Sequence, residues 1–310
     1  MNKKWRIKTS MEEQKEERLL HRMVRELCQE MDIKFEKLSF DWILQLSKNG
    51  QVRHITDNMF DNNMLASGTI VSDKYATYEV LKSQNIPIIE HKMVFNPATR
   101  SRLIPEESNC KLIENEFLKY GKLVVKPNND CQGNGIELCN SLRETEIAIQ
   151  KLFNKNNASV SICPFYDIKN EYRTFYLNGE VLLIYSKTKP FVIGDGKSTL
   201  GELASNLQLP NKLVVAENLS KLDLEYIPSE GESVEISWKF NLSGGAIPNI
   251  LEKGELYNKI EKLAINAGKA VNMNFATIDI IQTMDNNLLV MEINSGVCGK
   301  IFTELVERWI

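Results

Sequence analysis

The segment Ala276–Asn294 holds the residues whose types and spacing most clearly suggest chemistry. It reads ATIDIIQTMDNNLLVMEIN, with Asp279 in a first apolar run, Glu292 in a second, and Asn294 two residues later. Two apolar runs around a polar turn predict a β-hairpin, in which side chains alternate between the two faces of the sheet. We therefore expect the three polar residues to share one face.

The pairing within this hairpin depends on the length of its loop. With a two-residue loop at 285–286, Asp279 lies directly opposite Glu292. With the loop at 286–287, Asp279 lies opposite Asn294 instead. Directly opposed Cβ atoms are about 4.5–5.5 Å apart, and a three-residue loop would turn Asp279 to the other face.

Two carboxylates this close repel each other and lose hydration when buried. A divalent cation offsets both costs, and the oxygen ligands of Asp279, Glu292 and Asn294 suit Mg²⁺. The alternative is a surface hairpin with solvated acids, but the many isoleucines around the acids indicate a sheet that is buried on at least one face. The segment therefore predicts a site for one or two Mg²⁺ ions, with Mn²⁺ as an alternative.

Lys126 is a second candidate, because it ends the apolar run LVVK just before the loop PNNDCQGNG. The GxxxxGK[ST] order of a P-loop is absent. A glycine-containing loop nevertheless exposes backbone N–H groups to phosphate oxygens, and the lysine adds a point charge. The alternative is a lysine whose stem covers a sheet edge. Next to a carboxylate metal site the phosphate interpretation is favoured, because Mg²⁺ is commonly held by carboxylates and substrate phosphates.

Other polar residues stand at the ends of predicted elements. Lys74 opens a helix, Glu171 and Arg173 begin a strand, and Lys187 follows one. Asn241 begins NLSGG, whose backbone N–H groups could form a nest for an anion. Each of these has the alternative of an ordinary surface charge or glycine turn.

The bulk composition excludes several classes of protein. The 310 residues are 43% hydrophobic and 25% charged, which is typical of globular proteins, and the net charge of −3 gives no basic field for nucleic acid. No apolar run reaches the roughly 18–20 residues of a membrane span. The six cysteines form no CxxC pair, which favours free thiols in the cytoplasm. The three histidines are interpreted as surface or packing residues.

Hydrophobic periodicity and turn residues predict alternating helices and strands. The predicted helices are 11–31, 75–84, 105–120, 144–153, 200–207, 256–271 and 303–309. The predicted strands outside the 276–294 hairpin are 42–47, 51–56, 86–95, 123–126, 136–138, 160–163, 173–177, 180–186 and 233–236. Segments 56–67 and 187–199 are predicted to be irregular.

The order of these pieces resembles the ATP-grasp superfamily: Lys74, then VVKP with its glycine loop, then ExR, NLSGG and IDI…MEIN. Within it the chain resembles carboxylate–amine ligases such as cyanophycin synthetases, D-alanine–D-alanine ligases and glutathione synthetases. The segment 189–203, KPFVIGDGKSTLGEL, is similar to the cyanophycin-synthetase group. The resemblance covers residues 66–300.

The resemblance implies an α+β ATP-grasp fold, in which a nucleotide is held between two sheet-containing lobes behind a short N-terminal domain. The implied domains are a short N-terminal domain at 1–70, a central lobe with the phosphate loop at 71–162, and a C-terminal lobe with the Mg²⁺ site at 163–310.

The resemblance also implies roles for individual residues. Lys74 and Lys126 would contact phosphates, and Glu171 would bind the ribose hydroxyls. The loop residues Gln132, Gly133 and Gly135 would close over the phosphates. The adenine hinge, which offers mainly backbone groups, would be formed by Ile162, Cys163 and Phe165.

On the catalytic side, Arg173 and Lys187 would face the transferred phosphoryl group and the acyl-phosphate. Asn241 would lie beside the metal held by Asp279, Glu292 and Asn294.

The activity implied by the resemblance is ATP-dependent amide formation through an acyl-phosphate, releasing ADP. The expected partners are a small-molecule carboxylate and an amine, with amino acids or a peptide among the candidates, and neither nucleic acid nor membrane. A homodimer and a cytoplasmic location are further expectations. Two alternatives remain open at this point: a small-molecule kinase of the same fold, and an ATP-binding module without catalysis.

Overall fold

The computed structural model describes residues 17–104, 108–129, 135–207, 219 and 222–296. The described residues form two compact units, the first within 17–61 and the second within 62–296. The predicted helix 303–309 and parts of the predicted helices 11–31 and 105–120 lie outside the described residues. Within the described part, no helix has both the length and the apolar character needed to cross a membrane.

The first unit is a helix packed on an antiparallel sheet whose strands follow chain order. Its elements are α1 (Leu19–Glu30), β1 (Lys34–Leu38), β2 (Ile43–Lys48), β3 (Gln51–Thr56) and β4 (Met59–Phe60). The predicted hairpin of β2 and β3 is confirmed, because Asn49 and Gly50 both have positive φ. The segment 56–67, predicted to be irregular, instead contains β4.

The second unit begins with two helices and a sheet that carries Lys126, which we call the Lys126 sheet. Its strand order is β5-β8-β6-β7, all antiparallel, and α5 and α6 pack on it. The elements are α2 (Leu65–Ser72), α3 (Lys74–Ser83), β5 (Lys92–Phe95), α4 (Pro97–Arg100), a 3₁₀ turn (Ser101–Leu103), α5 (Asn109–Tyr120), β6 (Leu123–Pro127), β7 (Glu137–Cys139), α6 (Leu142–Asn154) and β8 (Ser159–Pro164). The predicted strand 86–95 is only half formed, since β5 begins at Lys92.

The other large sheet carries Asp279, and we call it the Asp279 sheet. Its antiparallel order is β13-β10-β9-β14-β15. A long helix, α8, packs on one face, where its small residues allow close approach to the buried ring of Tyr176. The elements are β9 (Ile168–Leu177), β10 (Glu180–Thr188), a 3₁₀ turn (Leu242–Gly244), β13 (Ile247–Ile250), α8 (Glu255–Ala270), β14 (Phe275–Thr283) and β15 (Leu288–Asn294).

The hairpin of β14 and β15 corrects one sequence expectation. Its loop has three residues, because the backbone N–H of Thr283 donates to the carbonyl of Asn287 at 3.0 Å. A three-residue loop alone would have placed Asp279 on the wrong face. The register shifts by one residue just after Asp279, which leaves Met291 as the extra residue of a β-bulge. The bulge restores the alternation, so Asp279 still pairs directly with Glu292.

A small insert lies between β10 and the 3₁₀ turn at Leu242–Gly244, and its described residues are 189–207, 219 and 222–236. Its described elements are β11 (Phe191–Ile193), α7 (Leu200–Ser205) and β12 (Ser233–Glu235). The segment 187–199, predicted to be a loop, therefore contains a strand that pairs with β12. Thr199 and Glu202 form a reciprocal capping box at the start of α7, so the sequence STLGEL fixes where this helix begins.

Among the described glycines of the insert, Gly194 has the least space for a side chain. A Cβ at this position would lie 2.2 Å from the carbonyl oxygen of Ser229 and 2.7 Å from the Cβ of Pro228. We expect Gly194→Ala to lower the free energy of unfolding by about 1–3 kcal/mol, because the backbone must shift to make room. Urea denaturation measures this change. Gly68→Ala is the matched control, since the space around Gly68 in α2 is open, and a loss there as large as at position 194 would contradict the steric account.

The α+β class is confirmed by these alternating helices and antiparallel sheets. The division into domains at residues 70 and 162 stays a prediction.

Candidate active site

One face of the Asp279 sheet carries a row of polar side chains across four strands. The strand register places Glu292 opposite Asp279, Asp279 opposite Arg173, and Arg173 opposite Tyr185. Directly paired residues point to the same face. The opposite face is apolar and packs against α8. The alternation of the four strands thus separates the core from a row of charges.

Arg173 and Asp279 make the central contact of this row. The guanidinium Nε donates to Asp279 Oδ1 at 2.8 Å, and Nη2 donates to Oδ2 at 2.6 Å. This is the bidentate geometry that makes arginine–carboxylate pairs strong. The Asp279 side chain is 2% exposed and that of Arg173 19%, so the pair is largely removed from water.

Lys187 links this pair to a second carboxylate. Its Nζ donates to Asp279 Oδ1 at 2.9 Å and to Glu171 Oε1 at 2.5 Å. Lys187 and Glu171 are direct partners on β10 and β9, and both are buried. Four charged side chains from three strands therefore form one buried network.

The network shifts the acid–base properties of its members. Burial alone would raise the pKa of Asp279, but the charges of Arg173 and Lys187 outweigh it and hold the pKa below its ordinary value. Burial raises the pKa of Glu171, although Lys187 opposes this. Arg173 keeps its charge, because the field of Asp279 outweighs desolvation and raises its pKa. Asp279 is thus ionised throughout the physiological pH range.

Such a network is a poor way to stabilise a fold. Removing charges from water costs several kcal/mol per ion, and replacing a buried ion pair by apolar residues is often neutral or stabilising. Strongly shifted ionisable groups that lie close together are therefore candidates for a functional site. The buried network in this sheet is best explained by chemistry that needs charge.

Lys74 approaches the same carboxylates from α3. It is the first residue of that helix, is buried, and its Nζ lies 3.6 Å from Glu292 Oε1. The side chain of Asp73 caps the helix by accepting from the N–H of Ala76 at 2.8 Å. The start of α3 is thereby fixed beside Glu292.

Asn128, which the sequence did not single out, ties α3 to the loop after β6. Its backbone carbonyl accepts from the N–H of Lys74 at 3.2 Å, and its Oδ1 accepts from the N–H of Tyr75 at 3.2 Å. The helix that carries Lys74 and the strand that carries Lys126 are therefore joined through one buried side chain.

Lys126 lies on β6, buried, directly opposite Ser161 on β8. Ser161 Oγ is 2.7 Å from Nδ1 of His91. Burial, and after it the charges of Lys126 and Lys74, hold the pKa of His91 well below the ordinary value. The two lysines that the sequence predicted to contact phosphate thus both lie near one buried imidazole.

The predicted adenine hinge lies at the end of β8. Ile162 points into the core of the Lys126 sheet, so only its backbone could reach a ligand. The pairing of β8 with β5 ends at Ile162. The next residues line an apolar cluster that spans the two large sheets of the second unit, and this cluster contains Cys163, Phe165, Ile281, Met291 and Trp238 among others.

Trp238 is a second residue that the sequence did not single out. Its ring lies edge-on to that of Phe165, with centroids 6.3 Å apart. The cluster that it joins is apolar and lies on the same face of the Lys126 sheet as Lys126 itself. No spacing rule pointed to Trp238, because it follows the insert in a segment without periodicity.

The structure describes two of the four remaining predicted residues, Gly135 and Asn241. Gln132 and Gly133 lie outside the described residues. Gly135 has φ of +67° and faces Leu152 and Pro127, so it returns the loop to the Lys126 sheet. The carbonyl of Asn241 accepts from the N–H of Gly244 at 2.9 Å and closes a turn.

The predicted metal ligands fit Mg²⁺ by their chemistry. Within the described ranges, no group of three or more His, Cys, Asp or Glu residues could hold a metal, so the set depends on Asn294 as its third ligand. Three N–H groups already donate to Asp279, out of about four acceptor positions on a carboxylate. The Glu292 side chain is 26% exposed, and its carboxylate offers more room for an ion. Metal ligation by Asp279, Glu292 and Asn294 stays a prediction.

Comparison with protein families and curated relatives agrees with this reading of the residues. Residues 231–307 match the RimK-like ATP-grasp domain. A cyanophycin synthetase of Trichormus variabilis is 22% identical over 269 residues, which cover 81% of this chain and 28% of the relative. The bifunctional glutathione biosynthesis protein GshAB of Clostridium perfringens is 23% identical over 251 residues, which cover 73% of this chain and 30% of the relative. The chain thus spans less than a third of these relatives.

Solved structures share the fold at low sequence identity. A bifunctional glutathione synthetase from Pasteurella multocida superposes with a TM-score of 0.53 at 17% identity, covering 94% of this chain and 44% of that one. A D-alanine–D-alanine ligase from Bacillus anthracis has a TM-score of 0.51 at 16% identity, covering 79% and 65%. At this identity the likeness concerns the fold alone.

Proposed function

We propose, from the premise that this chain belongs to the ATP-grasp superfamily, that it is an ATP-dependent carboxylate–amine ligase. One observation carries the proposal. Lys74, Arg173 and Lys187 come from three different elements and converge on the carboxylate pair Asp279 and Glu292. Clustered cations beside hard oxygen ligands are what phosphoryl transfer requires.

The nucleotide is proposed to lie between the two large sheets of the second unit. The apolar cluster around Cys163 and Phe165 would take the base, and Lys74 and Lys126 would take the phosphates. Glu171 would reach the ribose hydroxyls once Lys187 turns toward phosphate, because the two are paired in the structure described here. Membership of the superfamily supports ATP as the nucleotide.

The proposed reaction has two steps. An oxygen of the substrate carboxylate attacks the γ-phosphorus of ATP, the bond to the β-phosphate oxygen breaks, and an acyl-phosphate and ADP result. The nitrogen of an amine then attacks the acyl carbon, phosphate leaves, and the amine loses a proton to solvent or phosphate. Arg173 and Lys187 would neutralise charge on the transferred group in both steps.

Little acid–base chemistry is needed for these steps, since positioning and charge neutralisation supply most of the rate. This agrees with a site rich in lysine, arginine and carboxylates. Asp279, Glu292 and Asn294 would hold Mg²⁺, which would supply positive charge to offset that of the phosphates. Asn241 would lie beside that metal.

The substrates are proposed to be a small carboxylic acid and an amine, with amino acids and short peptides as the first candidates. The names of the relatives, glutathione synthetase and D-alanine–D-alanine ligase, motivate this choice. Neither nucleic acid nor membrane is part of the proposal.

Lys126→Ala is expected to weaken ATP binding by about 10- to 100-fold, which is the worth of one charge-assisted contact of about 1.5–3 kcal/mol. Titration calorimetry with Mg²⁺ and a non-hydrolysable ATP analogue measures the affinity. Lys253→Ala is the matched control, because that lysine is exposed. Equal affinity in the Lys126 variant and the wild type would remove Lys126 from the phosphate site.

A substrate screen that varies the acid and the amine independently tests the proposed function. The chain is incubated with Mg²⁺–ATP and pairs drawn from amino acids, dipeptides and polyamines, and ADP, free phosphate and product masses are read separately. A ligase releases phosphate only when both an acid and an amine are present, and its product is lighter than their sum by one water. ADP with a phosphorylated product would instead establish a kinase, and ATP binding without turnover across the screen would favour a binding module.

A further inference from the structure

His91 is a buried polar residue for which the proposed reaction has no role. It lies just before β5, is 1% exposed, and has Nδ1 2.7 Å from Ser161 Oγ. Its ring also meets that of Tyr78 edge-on, with centroids 6.3 Å apart. The sequence suggested only a surface or packing role for it, because nothing in its spacing marks it.

The neighbours of His91 connect it to both phosphate-facing lysines. Tyr78 is four residues after Lys74 on α3, so these two side chains share one face of the helix. Ser161 is the direct strand partner of Lys126. The imidazole thus lies between the helix that carries Lys74 and the strand pair that carries Lys126.

Burial, and after it the charges of Lys126 and Lys74, hold the pKa of His91 well below its ordinary value, which favours a neutral ring. A neutral imidazole can accept the Ser161 hydroxyl or donate to it without adding repulsion. A charged side chain at this place would push the two lysines apart.

We propose that His91, held by Ser161, is a positioning residue that sets the separation of Lys74 and Lys126 for the phosphates of one nucleotide. The inference rests on the proposed function, since it requires that both lysines bind phosphate. His91 acts through the lysines and does not itself touch the reacting atoms. Its loss therefore affects nucleotide affinity more than the chemical step.

Three variants test this role. His91→Phe keeps an aromatic ring against Tyr78 and removes the bond to Ser161. His91→Asn places an amide near the position of Nδ1 and can restore that bond, while Ser161→Ala removes only the partner hydroxyl. His54→Phe is the matched control, because His54 lies in the first unit and its hydrogen bond is to Gln45. Calorimetric titration with Mg²⁺ and a non-hydrolysable ATP analogue measures affinity, and the KM for ATP and kcat follow with the substrates found in the screen.

The expected result is a 3- to 10-fold loss of affinity, about the worth of one net hydrogen bond, in both His91→Phe and Ser161→Ala. The double variant, His91→Phe with Ser161→Ala, should bind the analogue no more weakly than either single variant, because both changes break the same hydrogen bond. KM for ATP should rise while kcat changes less than twofold, His91→Asn should recover most of the affinity, and His54→Phe should match the wild type.

The outcomes separate this inference from the proposed function. A wild-type chain that fails to bind the analogue would overturn the proposed function. A wild-type chain that binds, with unchanged affinity in both His91→Phe and Ser161→Ala, would overturn the role of His91. A parallel fall in kcat and thermal stability without a rise in KM would likewise overturn it, since that pattern indicates packing alone. Ser161→Ala keeps the test informative if the larger change at His91 impairs folding.

Discussion

Asp279→Asn is expected to lower the free energy of unfolding of the second unit by about 3–5 kcal/mol, the cost of leaving a buried charge without its partner. Arg173 makes its bidentate pair with Asp279, and Lys187 shares the same carboxylate. Asparagine keeps the volume but leaves the guanidinium uncompensated in a largely buried place. Urea denaturation followed by circular dichroism measures the loss, which is large against a typical total of about 5–15 kcal/mol.

The pH dependence of this loss gives a second check. Because the pKa of Asp279 is lowered in the folded state, its contribution to stability is present above the unfolded pKa of about 4 and disappears only as the pH falls below that value. The destabilisation of the variant relative to the wild type should therefore persist from pH 8 to pH 5. Asp285→Asn, in the exposed loop of the same hairpin, is the matched control and should change stability by less than about 0.5 kcal/mol. A loss at Asp279 no larger than this control would refute the buried network.

Glu292→Gln is expected to behave in the opposite way, abolishing turnover while sparing the fold. Its carboxylate is 26% exposed and lies 3.6 Å from Lys74, a weaker contact than the bidentate pair of Arg173 and Asp279. If it holds the metal, the loss of its charge should reduce kcat by at least about 10²–10³-fold, comparable to the removal of one preorganised electrostatic contact. The release of ADP and phosphate under saturating Mg²⁺–ATP measures this effect.

Glu180→Gln is the matched control for the carboxylate change, because Glu180 is exposed at the opposite end of β10 from Lys187. It should retain the wild-type rate and stability. Wild-type turnover in Glu292→Gln would defeat the metal assignment, whereas a loss of folding in that variant would show that Glu292 belongs to the structural network.

The predictions for Asp279→Asn and Glu292→Gln assign different roles to two carboxylates that are direct strand partners. Asp279 is held by cations from two strands, so it is both structural and a proposed ligand. Glu292 lies nearer to solvent and makes only the longer contact with Lys74, so it is the carboxylate more accessible to a metal. The proposed metal site therefore combines one rigid carboxylate with one that is more accessible.

The local features of the site could be predicted from the sequence because they follow from period-two alternation and turn chemistry. Asp279 was expected to face either Glu292 or Asn294, and the strand register selects Glu292. The bulge at Met291 that makes this pairing compatible with a three-residue loop had no signal, because a bulge depends on how the whole strand packs. One of the two expected pairings was thus right although the predicted loop was one residue too short.

The tertiary contacts of the site could not be predicted in this way. Arg173 and Asp279 are 106 residues apart in the chain, and His91 and Ser161 are 70 apart. Neither pair belongs to a motif with fixed spacing. The bridging role of Asn128 likewise depends on where α3 ends up relative to β6, which only the packed fold determines.

Hydroxylamine trapping tests the central claim, an acyl-phosphate formed from ATP, most directly. Hydroxylamine replaces the unknown amine, so the chain is incubated with Mg²⁺–ATP, hydroxylamine and one candidate carboxylic acid at a time. We expect ADP and the hydroxamate of one acid or peptide to form in equal amounts. The Glu292→Gln variant should form neither product. ADP that accumulates with a stable phosphorylated product and no hydroxamate would contradict the central claim and establish a kinase instead.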